Sequence, residues 1–152
     1  MTMKGRQRVL ARLKAIPKKV RAEVRPAIEK GAQRINDAQR ALVPKDSGAL
    51  AASIGYSMGG YTAENSNVRG FAGGEGGDPD LTAVLHAGNA EAFYAAMVEF
   101  GTAPHEQGGM FAGSQHPGTT PRPYFYPAYR ANRRAVRSSV SRAFKKGIAA
   151  SK

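Results

Sequence analysis

From Val9 onward, Leu13, Ile16, Val20, Val24, Ile28, Ile35 and Leu42 recur at three, four or seven residues, with lysines and arginines between them. A period near 3.6 puts these side chains on one stripe of a helix, so the first third of the chain must lay that stripe on another element. Prolines divide it. Pro17 suits the first turn of the main helix and sets off a basic arm, residues 1–16, in which 5–15 read as a separate helix. Pro26 implies a kink or a break, because it lacks an N–H and crowds the carbonyl four residues back. Pro44 ends the helix, since the residue before a proline avoids helical angles.

The rest of the chain alternates short strands with turns before a second long helix. Asp46 or Ser47 can cap a short helical turn through Leu50. Ser53 to Tyr61 reads as a strand with Ile54, Tyr56 and Met58 alternating, and Leu81 to Ala87 as another. A strand near Asn67 to Phe71 is weakened by Gly70 and Gly73, and residues 73–79 form a glycine-rich loop. Phe93, Met97 and Phe100 stand at helical spacing and predict a short buried helix, ended by Gly101 in a left-handed cap. Residues 103–120 form a long loop with an apolar island at Met110 and Phe111, the sort of segment that reaches a partner.

From Tyr124 to about Ala149 a second long helix is expected, with Pro127 tolerated in its first turn. Its apolar side carries Phe125, Ala128, Tyr129, Val136, Val140, Phe144 and Ile148, and its other side Arg130, Arg133, Arg134, Arg137 and Lys145. The reading is one α+β domain over residues 1–152: a small, mainly antiparallel sheet packed by a long N-terminal helix, a short middle helix and a C-terminal helix. A chain of 152 residues is suited to one core.

Several function classes fall away. With no cysteine there is neither a disulfide framework nor a thiolate ligand or nucleophile. His86, His105 and His116 lack the spacing of a metal site, so no metal is expected. There is no G-x-S-x-G elbow, and the glycines at 73–77 are not followed by a Lys-Ser/Thr pair that would make a phosphate cradle. The expectation is therefore no enzyme and no cofactor. No apolar run approaches the roughly 20 residues that cross a bilayer, and the basic start has no apolar stretch behind it, so neither membrane nor export signal is expected.

Charge is strongly partitioned. Residues 1–45 carry +10, residues 46–121 carry −7 and residues 122–152 carry +9. Basic ends around an acidic middle favour head-to-tail contact between copies of one chain. Basic helices also attract phosphate backbones without reading sequence, and the termini can instead pair with the acidic middle of their own chain.

Three segments carry a resemblance. Leu42-Val43-Pro44-Lys45-Asp46-Ser47-Gly48-Ala49-Leu50-Ala51-Ala52-Ser53-Ile54, then Tyr94-Ala95-Ala96-Met97-Val98-Glu99-Phe100-Gly101-Thr102, then the run from His116 through Arg122-Pro123-Tyr124-Phe125 to Ala128 stand in that order. Together they resemble the gene-product-ten-like tail-component family of the Hong Kong lambdoid phages, over about residues 20 to 145. The resemblance implies a virion protein of a tailed phage, prophage or phage-derived particle, assembled in the host bacterium's cytoplasm. It would form a ring, typically hexameric, at the head–tail junction, beside connector and tail-tube or terminator proteins and with DNA passing through non-specifically. A tail terminator or head-closure stopper is the neighbouring alternative, and a basic nucleic-acid-binding protein is the alternative from another class. The glycine-rich insert at 73–77 and the 103–120 loop depart from the family pattern.

Candidate interface residues are Glu99, Arg122, Tyr124, Phe125, Met110 and Phe111, and Arg6, Arg8 and Arg12 of the arm are candidates to face a DNA channel. Glu99 has two readings: a partner for Arg122 or for an arginine of the next subunit, or a structural carboxylate satisfied by backbone donors of its own subunit, which is favoured. Tyr124 and Phe125 have the same ambiguity between core anchors and hot spots, with packing favoured. Loss of the Glu99 side chain, or of residues 103–120, is expected to leave a folded subunit that cannot join head to tail.

Overall fold

The computed structural model describes residues 18–63, 71–72 and 77–150. The basic arm with Arg6, Arg8 and Arg12, and most of the glycine-rich loop, lie outside the described residues. In chain order the elements are α1 (Lys18–Leu42), α2 (Ala49–Ala52), β1 (Gly55–Met58), β2 (Phe71–Ala72), β3 (Ala83–Ala87), α3 (Ala95–Phe100), β4 (His105–Glu106), a 3₁₀ turn (Gly109–Phe111), β5 (Gln115–His116) and α4 (Phe125–Ala149). The class is α+β, as the periodicities indicate.

Helix α1 lies along α4 and also touches β1 and β3. It buries Val20, Val24 and Ile35 from the apolar stripe, and with them Ala32, Asn36 and Gln39. Gln39 is tolerated there because its side-chain N–H donates to the carbonyl of Phe125 (3.3 Å). Following that face one turn further brings Val43 inside and leaves Leu42 half exposed, the reverse of the simple stripe. Pro26 does not break the helix, which runs on to Leu42. Ala22 and Pro26 both sit on the exposed face, so the carbonyl that loses its helical partner is open to water.

The two long helices approach closely through glycine. A methyl group on Gly31 would stand 2.5 Å from Val136 Cγ1, and one on Gly147 would stand 2.8 Å from Val20 Cα. Neither position has room for a side chain, and that is what lets α1 and α4 lie side by side.

The three-stranded sheet has the order β1-β3-β2 and is antiparallel throughout. Tyr56 pairs with Leu85 and Ser57 with Val84, while Phe71 pairs with Ala87. The strands are shorter than the alternation predicts, and β1 starts only at Gly55 because Ser53 is used elsewhere. Its hydroxyl donates to Leu50 O (2.8 Å) and accepts the N–H of Gly88 (3.0 Å), tying the end of α2 to the end of β3. At the start of α2, Ser47 Oγ accepts the N–H of Ala49 (3.3 Å). The main core gathers where α1 ends and α4 begins: Val43, Leu50, Ile54, Ala87, Ala92, Ala95, Tyr124 and Phe125.

Part of the acidic middle is consumed inside the subunit. Arg21 donates to both carboxylate oxygens of Asp78 (3.0 and 2.8 Å), and Arg25 bridges Glu29 and Asp80. Burial alone would push the Asp78 carboxyl up, but the N–H of Asp80 and the Arg21 guanidinium outweigh it and hold the group below its ordinary value. A carboxyl held low when folded stabilises the fold above its unfolded value, near ~3.9, and loses that contribution as pH falls through the lower folded value. The expected result in acid titrations followed by circular dichroism is a loss of stability below about pH 4, shallower in Arg21→Ala. An unchanged acid limb in that variant would remove the pair from the account.

Candidate subunit interface

The turn before α3 begins with Asn89, whose side-chain oxygen accepts the N–H of Ala92 (2.7 Å). This fixes α3 with an orientation opposite to the one its large apolar residues predict. Phe93, Met97 and Phe100 are 50%, 36% and 61% exposed, whereas Ala92, Ala95 and Glu99 are buried. The inward side is occupied by small residues because it must admit a carboxylate.

Glu99 reaches the start of α4. One oxygen accepts the N–H groups of Tyr124 (2.7 Å) and Phe125 (2.8 Å), and the other that of Tyr126 (3.0 Å). A helix begins with four N–H groups that have no partner within it. Here three go to Glu99, and the fourth position is Pro127, which has none to satisfy. The negative charge also meets the positive end of the helix dipole. This is the backbone-satisfied reading of Glu99, and among the described residues no ion pair joins it to Arg122. Burial, with the Glu99 charge second, raises the Tyr124 phenol above its ordinary range.

The six proposed interface residues therefore divide. Glu99, Tyr124 and Phe125 are buried within one subunit at 3%, 0% and 7% exposure, while Met110 and Phe111 are 95% and 66% exposed. Arg122 is on the surface, with its backbone N–H on Val98 O (2.8 Å).

The long loop is itself folded. Thr102 bridges Thr119 at its root, and His105 pairs with His116 and Glu106 with Gln115 above it. The two histidine rings stack with centroids 5.0 Å apart. Gln107 N–H reaches Ser114 O (2.8 Å), and Ser114 Oγ reaches Phe111 O (2.7 Å), so the 3₁₀ turn bearing Met110 and Phe111 is held in shape. Gly101 turns the chain into this hairpin with φ 71° and ψ −178°, an extended positive-φ conformation rather than the left-handed cap. A Cβ there would also collide with Thr119 O and the Pro121 ring.

Two open grooves flank these elements. One, of about 580 Å³, lies at the hairpin root between Pro44, Asp46, Tyr94, Met97, His116 and Arg122. The other, of about 460 Å³, is lined by Val24, Ile28, Leu81, Val136, Val140 and Phe144, with Arg137 at its side. No group of three or more His, Cys, Asp or Glu is arranged to hold a metal among the described residues, and no described helix is long and apolar enough to cross a membrane. On α4, Arg130, Arg133, Arg134, Arg137 and Arg142 are exposed. Periodicity missed the inward turn of Glu99, Asn36 and Gln39; the run of N–H groups ending at Pro127 was the available signal for an acid cap.

The α+β fold carries an exposed hairpin and a C-terminal helix with a row of exposed arginines. Residues 7–101 match the bacteriophage HK97-gp10 tail-component family, and the chain belongs to that family of phage tail components. No curated protein and no solved structure matches the chain.

Proposed function

We propose that this tail component works by assembly, copies of it closing into a ring, typically a hexamer, at the head–tail junction of a phage or phage-derived particle, with DNA passing through the ring. Contacts repeated head to tail close into a ring when the rotation between copies permits. Connector proteins would lie on one side and tail-tube or terminator proteins on the other. The protein performs no reaction in this reading.

The observation that carries the DNA part is the row of exposed arginines on α4, in a segment, 122–152, with no acidic residue. Asp78 and Asp80 already pair with Arg21 and Arg25, and among the described residues no carboxylate pairs with these arginines, which supports an outside polyanion as their partner. A phosphate backbone suits such a row, whose attraction needs no base readout. Arg6, Arg8 and Arg12 of the arm add to the same charge.

A reconstruction of the assembled particle tests the proposal. The expected map has a ring of this chain on the portal-to-tube axis with α4 arginines toward the channel, and Arg130→Gln/Arg133→Gln/Arg134→Gln particles assemble but deliver less DNA. A map with the chain off that axis overturns it. A stable monomer that binds DNA tightly at low salt and never joins a tail would support the nucleic-acid-binding alternative, and the neighbours in the map separate tail completion from a terminator or stopper.

A further inference from the structure

We infer that the Met110–Phe111 tip of one copy seats in the apolar groove between α1 and α4 of the next, lined by Val24, Ile28, Leu81, Val136, Val140 and Phe144. The inference rests on the proposed joining of identical copies and names the surfaces that join them.

The tip and the groove each lack what the other supplies. Met110 and Phe111 are 95% and 66% exposed at the end of a hairpin whose turn is fixed by Ser114 and Gln107. A preorganised tip loses little freedom on docking, so its apolar burial is kept as affinity. The groove, about 460 Å³, is open, and Phe144 at its edge is 39% exposed. An apolar knob and an apolar slot at different places on one molecule make a heterologous contact. They are separated along the subunit: the hairpin leads into α4 at Tyr124, and Val140 lies about 24 Å further along that helix at ~1.5 Å per residue.

Charge selects the occupant. Arg137 lines the groove, and Arg133 and Lys145 stand exposed on the same helix. The hairpin, 102–121, carries Glu106 and no lysine or arginine. The N-terminal segment 1–17, with five lysines and arginines and no acid, would bring like charges together. Two grooves face to face would oppose the arginine rows of two α4 helices and are disfavoured for the same reason.

The chain has no cysteine, so introduced thiols report only on the chosen positions. Met110→Cys carrying a size tag is mixed with untagged Val140→Cys and oxidised, with Leu42→Cys, exposed and outside both surfaces, as the control partner. Circular dichroism checks that each variant is folded. Docking raises the local thiol concentration, so the mixed Met110–Val140 dimer is expected at about tenfold or more over the Met110–Leu42 product. The double variant should give a ladder of covalent oligomers, and Phe111→Asp in the tagged chain should abolish the preference. Equal linking to Val140 and Leu42, or no linking, overturns the inference even if the wild-type chain forms rings. Linking that appears only after residues 1–16 are deleted also overturns it, because the arm is then the occupant.

Discussion

Glu99→Ala is expected to destabilise the subunit by about 4 kcal/mol, since Tyr124 and Phe125 are buried and each N–H left without its acceptor costs ~1–3 kcal/mol. Tyr126 contributes less because it is exposed and water can replace the carboxylate there. In a domain of this size a loss of that order lowers Tm by about 10 °C. Glu99→Gln keeps one oxygen but turns an NH₂ group toward a backbone donor and removes the charge from the helix start, so an intermediate loss of about 2 kcal/mol is expected. Urea unfolding of the three proteins checks the order. The three backbone N–H groups held by Glu99 argue against the expectation, drawn from the sequence, that removing it leaves the subunit intact and fails only at joining, and this measurement decides between the two. If Glu99→Ala unfolded at the wild-type urea concentration and only assembly failed, the capping role would be wrong.

Gly31→Leu is the second large effect. The nearest obstacle is Val136, whose branched side chain is stiff at χ1, and α1 cannot back away without separating from α4 along its length. A cost of about 3 kcal/mol, or loss of cooperative unfolding, is expected. Gly31→Ala gives a sharper diagnostic through its sign. In a helix with free space this change stabilises by ~1 kcal/mol, whereas here the methyl group at 2.5 Å from Val136 Cγ1 should make it destabilising. Val136→Ala in the same chain should restore the ordinary sign. If Gly31→Ala raised stability with Val136 in place, the close approach of the two helices would be refuted.

The long helices, the main strands and the stop at Pro44 were legible because each rests on local periodicity or on a backbone rule that acts within a few residues. The three ordered segments that carry the family resemblance were equally local. For Glu99 the favoured reading, a structural carboxylate satisfied by backbone donors, was legible, but which donors was not, because they lie 25 or more residues away. Once that carboxylate takes the inward side of α3, Phe93, Met97 and Phe100 turn outward. Gln39 escaped for a related reason, since a buried amide is legible only when its acceptor, the Phe125 carbonyl, is in place.

Charge shows the same division. Its partition into a basic, an acidic and a basic block is plain in the sequence, but which acids are already spent is not. Arg21 and Arg25 on α1 meet Asp78 and Asp80, more than fifty positions on, only because the chain returns past that helix before entering β3. On α4 Lys146 meets Glu23, while among the described residues no carboxylate pairs with Arg130, Arg133, Arg134, Arg137 or Arg142.

By itself the sequence determined the class of fold, the family and the placement of two basic helices around an acidic, strand-rich middle, because periodicity and proline act over one or two turns. Only the tertiary structure decided which carboxylate starts α4, which large apolar residues are left outside and where an apolar groove lies between the long helices. Those outcomes depend on which distant donors, acceptors and surfaces the packed chain brings within reach, and no local pattern specifies that.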